Sequence, residues 1–207
     1  MVLSDEGIKR ALKSGALEID PLPQEDQYQT SSVDIFLGDS FRIWDRERLA
    51  VPGLAPVLNL AEQTFQDTAN AFTVPAPREP DGTVVLPPFS KSPCVLLGLT
   101  RERIHLKKNA ALAARVEGRS SLARIGVVVH LTAPIIHAGF NGAIALEIVN
   151  FGAFHVKFVP NRTRICQFII EKLDTAAGID LRTEFQHQQT PIGGAEQGRT
   201  LGKAGKR

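Results

Sequence analysis

The alternation of apolar and polar residues predicts a chain built mainly of short β-strands. Beyond residue 93, turn signals such as Gly118, Gly126, Gly152 and Pro160-Asn161 separate six segments rich in apolar residues. Those segments read PCVLLGLTRE, ALAARVEG, GVVVHLTA, GAIALEIVNF, FHVKFVP and RICQFIIEKL. A doubly wound fold would need a helix after each strand, and the sequence between these segments predicts no such helices. We therefore expect an all-β fold, either an antiparallel sandwich, a jelly roll or a barrel.

The beginning of the chain predicts one helix and then strands. In LSDEGIKRALKSG, Ser4 can cap a helix whose apolar stripe includes Ile8 and Leu12, and Gly15 ends it. In SSVDIFLGDSFRIW, apolar and polar residues alternate with period two, which predicts a strand, a turn at residues 38–39 and a second strand. An N-terminal helix thus precedes the β-rich part.

The remaining segments predict a single domain followed by a tail. Residues 50–92 are rich in proline and polar residues, which indicates short strands and loops without a domain boundary. The segment PIGGAEQGRTLGKAGKR is dominated by glycine and basic residues and has almost no apolar side chain. We expect one domain over residues 1–190 and a flexible, basic, glycine-rich tail over residues 191–207.

Composition and charge exclude several classes of protein. The 24 Lys and Arg residues nearly balance the 22 Asp and Glu residues, so bulk charge does not predict a nucleic-acid binder. The longest apolar run is far shorter than the roughly 18 residues of a membrane span, and MVLSDEGIKR lacks the pattern of a signal peptide. Cys94 and Cys166 lie in apolar surroundings, which favours buried free thiols. We expect a cytoplasmic protein that binds neither nucleic acid nor membrane.

The segment VEGRSSLARIG is the first candidate site. Its Arg-Ser-Ser run offers a guanidinium, two hydroxyls and backbone N–H groups within one turn, which is a plausible cradle for phosphate. If a short helix forms here, Ser120 and Arg124 are four residues apart and face the same way. On spacing alone, a phosphate cradle and a surface turn between strands are equally good interpretations.

A second candidate is Glu147 in GAIALEIVNF. Strand alternation places Ile144, Leu146 and Ile148 on one face and Glu147 on the other. A solvent-facing glutamate is the commoner outcome for such a position. In a pocket, desolvation would instead raise the pKa of the carboxyl and make it a proton carrier near neutral pH, with Arg124 as a compensating charge.

The histidines and Phe140 are weaker candidates. His130 and His137 suggest a metal site, but the chain shows neither an H-x-E nor a C-x-x-C pattern, so the zinc-deaminase signature is absent. Core or loop histidines are the better interpretation. The ring of Phe140, next to Gly139, is either part of the core or a flat wall for a sugar or base.

Several of these segments resemble one known family. AARVEGRSSLARIGVVVHLTA, GFNGAIALEIVNFG and PNRTRICQFIIEKL are similar to the central motifs of the dCTP deaminases, which are relatives of the trimeric dUTPases. LSDEGIKRALKSGALEIDP and SSVDIFLGDSFRIW resemble the N-terminal helix and first strands of that family. The resemblance extends in order over roughly residues 3 to 190.

The resemblance implies a fold, an assembly and a reaction. The fold would be a distorted jelly-roll β-barrel of the dUTPase-like type with an N-terminal helix, assembled as a homotrimer with active sites shared between chains. The reaction would convert dCTP to dUTP and ammonia without zinc, with Mg²⁺ held by the nucleotide triphosphate. Some members of the family also hydrolyse dUTP to dUMP and diphosphate.

The resemblance also implies the catalytic residues. Glu147 matches the glutamate that takes a proton from the attacking water and delivers protons to cytosine N3 and the leaving amine. Ser120 matches the serine that holds this water together with the backbone at Ala133. Arg124 matches the arginine that orients this part of the active site.

The matching substrate-binding positions are Arg119, Ser121, Ala133, Ile136, His137, Phe140 and Gln188. Arg119 and Ser121 match positions that hold phosphate from the neighbouring chain. Phe140 matches an aromatic position against the deoxyribose, and Gln188 lies in EFQHQQT, which resembles the arm that folds over the triphosphate.

Four positions depart from the family pattern. His137 stands where an acid contacts the sugar 3′-hydroxyl and helps dUTP hydrolysis, which argues against that second activity. Ile135 and Glu184 stand where basic residues are expected, which predicts weaker binding of a triphosphate or a substrate with fewer phosphates. Phe36 replaces a basic residue of the first strand. Two alternatives therefore stay open: a dUTP diphosphatase or bifunctional deaminase-diphosphatase, and a deoxynucleotide-binding protein without turnover.

Overall fold

A computed structural model describes residues 1–50, 57–181, 183 and 185–193 of the 207-residue chain. The helices are α1 (Asp5–Lys13), α2 (Arg46–Leu49), α3 (Phe65–Phe72) and α4 (Ser120–Arg124). The strands are β1 (Leu17–Asp20), β2 (Tyr28–Gln29), β3 (Ser32–Trp44), β4 (Thr73–Pro75), β5 (Val84–Leu86), β6 (Leu96–Leu106), β7 (Leu112–Gly118), β8 (Val127–Val128), β9 (Ile135–Ile136), β10 (Asn141–Asn150), β11 (Val156–Phe158) and β12 (Arg164–Lys172).

The strands form one large antiparallel sheet around a single main core. Its hydrogen-bonded order is β8-β10-β6-β3-β12-β7-β9, with β1 on β6 and with β2 and β4 on β3, while β5 and β11 form a separate pair. The main core gathers fully buried side chains from strands far apart in sequence, such as Ile35, Ile104, Ile148 and Phe168. The mainly β architecture with an N-terminal helix is therefore confirmed, and each of the six apolar segments beyond residue 93 contains a strand.

Helix α1 begins and ends where the sequence predicts. The Ser4 hydroxyl accepts a hydrogen bond from the backbone N–H of Gly7 at 3.2 Å, which satisfies a free donor of the first turn. Ile8 and Ala11 face the core, and Gly15 adopts a φ of +72° immediately after the helix. The helix covers one side of the core with its apolar stripe.

The predicted turn at residues 38–39 is wrong, because β3 continues through it to Trp44. The pairing of β3 with β6 shifts register between Leu37 and Phe41, as at a β-bulge. A Cβ at Gly38 would lie 2.9 Å from the backbone oxygen of Thr100 on β6. Gly38 therefore allows two strand backbones to approach closely and does not reverse the chain.

Helix α3 lies within residues 50–92, where the sequence predicts only short strands and loops. The Thr64 hydroxyl accepts a hydrogen bond from the backbone N–H of Asp67 at 3.0 Å, and Asp67 lies in the first turn of the helix. A threonine followed three residues later by an acid is a helix-start signal that could have indicated it.

A second, smaller hydrophobic cluster joins α3 to the end of the described chain. Ala69 of α3, Leu97 of β6 and Ile192 are buried together, and the rings of Phe65 and Phe185 meet edge to face at 5.9 Å. Ile192, two residues beyond the predicted end of the domain at residue 190, contributes an apolar side chain to this cluster. The rest of the predicted tail, residues 194–207, lies outside the described residues.

Among the described residues, no helix is long and apolar enough to cross a lipid bilayer.

Both cysteines are free thiols, with Cys166 buried as predicted and Cys94 half-buried. Burial is the largest cause of the raised pKa of each thiol.

Candidate active site

Glu147 lies on β10 between two neighbouring strands. Ile144, Leu146 and Ile148 are buried in the main core, as the alternation predicts, and Glu147 points to the opposite face. β10 pairs with β6 on one side, where Leu97 faces Glu147, and with β8 on the other. The glutamate is half-buried, so it lies neither on an open surface nor inside the core.

The surroundings of Glu147 make its carboxyl harder to ionise than an ordinary glutamate. Burial raises the pKa of Glu147, and this effect outweighs three smaller ones that lower it. Those smaller effects are hydrogen bonds from the backbone N–H groups of Leu131 and Glu147 itself and the charge of the nearby His130. A carboxyl whose pKa is raised toward neutrality can both accept and donate a proton in one reaction cycle.

Ser120–Arg124 form the short helix α4, as the spacing of Ser120 and Arg124 indicated. Arg119 is the N-cap residue of α4, and Ser120 and Ser121 begin the first turn with exposed side chains. Arg124 is exposed at the other end of the helix. In the described part of one chain, Arg124 makes no hydrogen bond or ion pair with Glu147, so the compensating role predicted for it is not formed within a single chain.

Two glycines connect helix α4 to the end of β10. The backbone N–H of Phe151 donates to the carbonyl oxygen of Gly126 at 2.8 Å, and the main chains of Gly126 and Gly152 lie in close contact. Val128 of β8 also pairs with Val149 of β10. The elements that carry the serines and the glutamate therefore share one corner of the sheet.

His130 is a residue of this corner that the sequence interpretation placed in a core or loop. Its Nε2 atom lies 3.6 Å from a carboxylate oxygen of Glu117, and in its protonated form it lowers the pKa of Glu147. Its Nδ1 atom is buried and has no hydrogen-bond partner within the described residues. Nothing in the local sequence distinguishes this histidine from an ordinary strand-end residue, so only the fold brings it next to the glutamate.

The loop and strand that follow β8 carry four more of the predicted substrate-binding residues. Ala133 and His137 are exposed, whereas Ile136 and Phe140 are buried with 8% and 7% of their surface accessible. Both buried side chains belong to the main core. The core position of Phe140 leaves only a small part of its ring accessible, and its contact with a deoxyribose stays a prediction.

The segment around Gln188 lies along the beginning of β10. The Gln186 side chain donates to the carbonyl of Gly139 at 2.9 Å and accepts from the backbone N–H of Asn141 at 2.7 Å. The Gln188 side-chain nitrogen donates to the carbonyl of Ala143 at 2.6 Å. These bonds hold the arm on the strand that carries Glu147. Glu184, one of the departures from the family pattern, lies outside the described residues.

Gln188 is itself buried and faces a cavity. Only 2% of its surface is accessible, and its side-chain oxygen has no hydrogen-bond partner among the described residues. It lines a cavity of roughly 400 Å³ together with Arg101, Arg103 and Asn161. The buried, unpaired side-chain oxygen of Gln188 is suited to a ligand group that donates a hydrogen bond.

Arg119 contacts a residue that the sequence interpretation did not assign to the site. Its Nη2 atom lies 3.3 Å from Oδ2 of Asp34, which is fully buried on β3. Strand alternation had placed Asp34 opposite the core-facing Val33 and Ile35, and the structure buries all three. The alternation alone could not reveal a carboxylate enclosed among arginines.

The described residues contain no group of three or more His, Cys, Asp or Glu side chains arranged to hold a metal ion. The polar groups at α4 are instead hydroxyls, guanidiniums and backbone N–H groups, which are donors suited to phosphate oxygens.

Comparisons with known proteins identify the family. A family model described as dCTP deaminase-like matches residues 2–173. A relative from Methanobrevibacter smithii named "dCTP deaminase, dUMP-forming" is 38% identical over 177 residues, which cover 85% of this chain and 82% of the relative. A relative from Thermomicrobium roseum named "dCTP deaminase" is 34% identical over 183 residues, covering 88% of this chain and 85% of the relative.

A comparison with solved structures supports the fold independently. The crystal structure of the 2′-deoxycytidine 5′-triphosphate deaminase from Agrobacterium tumefaciens superposes with a TM-score of 0.57 at 21% identity. The match covers 83% of this chain and 47% of the length of that chain. Together with the family model over residues 2–173, the relatives lead to one conclusion: the chain belongs to the dCTP deaminase-like family.

Proposed function

We propose that this protein catalyses the hydrolytic deamination of dCTP to dUTP and ammonia, with Glu147 as the proton carrier. The half-buried carboxyl of Glu147, whose pKa is raised by burial, is the observation that carries this proposal. Water adds to C4 of cytosine and gives up both of its protons. A base takes the first proton from the attacking water and passes it to N3, and then takes the second from the hydroxyl now on C4 and passes it to the amino group, which leaves as ammonia when the C4 carbonyl forms. A carboxyl with a raised pKa can make these transfers in sequence.

Ser120, the backbone at Ala133 and Arg124 complete the proposed catalytic group. Ser120 and Ala133 would hold the attacking water, and Arg124 would orient this corner. Because Ser120 and Arg124 are exposed, they are free to face a bound base or a second chain.

We propose a homotrimer whose sites are shared between adjacent chains. The surface near the Gly126–Gly152 contact carries exposed apolar side chains, with 41% of Ile125, 60% of Phe151 and 68% of Phe154 accessible. Apolar patches of this kind usually mark a surface that another protein covers. A second copy seated there would bring its own residues to the corner that holds α4.

The triphosphate would be held by Arg119, Ser121 and Gln188, with Ile136, His137 and Phe140 near the sugar and base. The donors at α4 fit phosphate oxygens. Mg²⁺ would be bound by the phosphates of the nucleotide and would neutralise part of their charge. The domain over residues 1–190 and a cytoplasmic location remain predictions of the same proposal.

Formation of dUMP is the second candidate function, and the name of the relative from Methanobrevibacter smithii favours it. It requires a further water to attack the triphosphate and release diphosphate. His137 stands where the family pattern has the acid that helps place this water, and its exposed side chain can hydrogen-bond but cannot act as that anion. We therefore rank dUTP above dUMP as the product.

One assay separates these possibilities. Purified protein is incubated with dCTP, dCMP or dUTP in the presence of Mg²⁺, and the nucleotide products and ammonia are resolved. Deamination of dCTP that Glu147→Gln abolishes without changing the mass of the assembly supports the proposal. Full activity in that variant, or binding of dCTP without any product in the wild type, would overturn it.

A further inference from the structure

We propose that Asp34 is a positioning residue that fixes the guanidinium of Arg119 for phosphate binding. This inference rests on the proposed function, which places Arg119 at the triphosphate. Asp34 lies on β3 with none of its surface accessible, and its Oδ2 atom is 3.3 Å from Nη2 of Arg119. Neither carboxylate oxygen has a hydrogen-bond partner of normal geometry among the described residues.

A buried carboxylate of this kind is unfavourable unless cations lie close to it. Two arginines approach Asp34, namely Arg119 and Arg164, whose Nη1 atom is 3.6 Å from Oδ2. Arg164 is already bound elsewhere, because its Nη1 donates to the backbone oxygen of Asp26 at 2.9 Å and its Nη2 pairs with the Asp26 carboxylate. Asp34 is therefore the main partner of Arg119, whereas the main partner of Arg164 is Asp26.

The position of Arg119 explains why such a partner matters. Arg119 is the N-cap residue of α4 and directly precedes Ser120 and Ser121, and 30% of its side chain is accessible. A guanidinium carries five N–H donors in one plane, so a carboxylate on its buried edge leaves the other donors for an anion. An arginine held in this way loses less conformational freedom on binding phosphate than an unrestrained one.

A second buried acid near Asp34 provides a matched comparison. Glu102 on β6 is also fully buried, but it accepts hydrogen bonds from the backbone N–H of Phe36 at 2.9 Å, from Gln27 at 3.3 Å and from Arg101 at 2.5 Å. Its partners thus hold strands together and do not include Arg119 among the described contacts. A general effect of removing buried charge should appear in Glu102→Gln as well as in Asp34→Asn.

The test is a double-mutant cycle on steady-state kinetics with dCTP. We expect Asp34→Asn to raise KM about tenfold with kcat nearly unchanged, because an interaction with the unreacting phosphates is weakened. Arg119→Gln should raise KM by at least as much, and the double variant should be no worse than Arg119→Gln alone. Glu102→Gln should leave KM unchanged. An unchanged KM in Asp34→Asn, or effects of the two substitutions that multiply, would overturn the proposal.

A second measurement needs neither a nucleotide nor a variant that folds. In the ligand-free wild type, the ¹⁵N–¹H signals of the Arg119 guanidinium should show restricted rotation and slow exchange with water, unlike those of the exposed Arg10. If the guanidinium of Arg119 rotates and exchanges with water as fast as that of Arg10, the positioning role is contradicted. If the wild type shows no turnover of dCTP, the proposed function fails while these signals still decide whether Asp34 holds Arg119.

Discussion

Gly126 and Gly152 lie backbone against backbone, and this contact joins helix α4 to the end of β10. A Cβ atom on Gly126 would overlap the backbone nitrogen and Cα of Gly152, and one on Gly152 would overlap the carbonyl oxygen of Ile125. Gly126 also has a φ of +85°, which side-chain-bearing residues rarely adopt. The spacing between the proposed phosphate cradle and the proposed proton carrier therefore depends on two residues that have no side chains.

Gly152→Ala should destabilise the protein and impair its activity. The added methyl group meets main-chain atoms that cannot rotate away, so we expect a loss of about 2–4 kcal/mol in the free energy of unfolding. Urea denaturation measures this loss. Gly178→Ala is the control, since nothing lies within 4 Å of the added Cβ there. Equal stability of the two variants would show that the backbone contact is not as close as described.

Glu147→Gln should make the protein more stable at neutral and alkaline pH. Because the folded state raises the pKa of this carboxyl, folding favours the protonated form, and ionisation above the ordinary value of 4.5 opposes folding. The stability of the wild type should thus fall as the pH rises from this value through the raised pKa of Glu147. The glutamine variant lacks this loss, so the difference in Tm should be largest above the raised pKa and vanish in acid.

Thermal denaturation over a pH series checks this expectation. Glu62→Gln is a matched control, because Glu62 is exposed and its replacement should not produce such a pH-dependent gain. A gain in Tm for Glu147→Gln that is the same at every pH would mean that its ionisation is not what opposes folding.

Gly142→Val should lift the arm that carries Gln188 away from β10. A Cβ at Gly142 would lie 3.4 Å from the backbone nitrogen of His187 and 3.5 Å from that of Gln188, so a branched side chain has no room. We expect faster hydrogen exchange at residues 186–188 and kcat/KM for dCTP lowered about tenfold, since the arm would cover the substrate poorly.

Gly142→Ala is the control, because a single methyl group at these distances makes ordinary van der Waals contacts and requires no movement of the arm. The alanine variant should therefore behave like the wild type in both measurements. Unaltered exchange at residues 186–188 in Gly142→Val would show that the arm does not depend on this contact.

His137→Asp should increase the release of dUMP relative to dUTP. An aspartate at this exposed position supplies the anion that the family pattern associates with placing a water for diphosphate release. Chromatography of the products from dCTP and from dUTP measures the ratio. Asparagine has a similar size to aspartate but no charge, so His137→Asn should give the same product ratio as the wild type. A high yield of dUMP from the wild type itself would remove the argument based on this histidine.

The sequence predicts the fold well where local chemistry determines structure. The Ser4 cap and the Gly15 end define α1, and the spacing of Ser120 and Arg124 anticipates α4. These features depend on neighbours within four residues, so a local pattern contains the necessary information.

The features that the sequence could not predict depend on residues far along the chain. Gly38 resembles a turn residue in the sequence. Glycine is needed there because the backbone of Thr100, on another strand, lies too close to leave room for a side chain. Asp34 resembles a solvent-facing residue because Arg119 and Arg164, which make its burial tolerable, are more than 80 residues away. The catalytic roles came from the resemblance to the family, since spacing alone left a surface turn equally possible.

Helix α3 has a consequence for how the protein responds to warming. A helix of eight residues is marginal by itself, and the arm depends on it through the contact of Phe65 with Phe185 and the packing of Ile192 on Ala69. The arm should therefore detach at a temperature below that at which the sheet melts. Substrate affinity would then decline over a temperature range in which circular dichroism still reports an intact sheet. Detachment of the arm, and not melting of the sheet, would therefore limit the temperature at which the protein works.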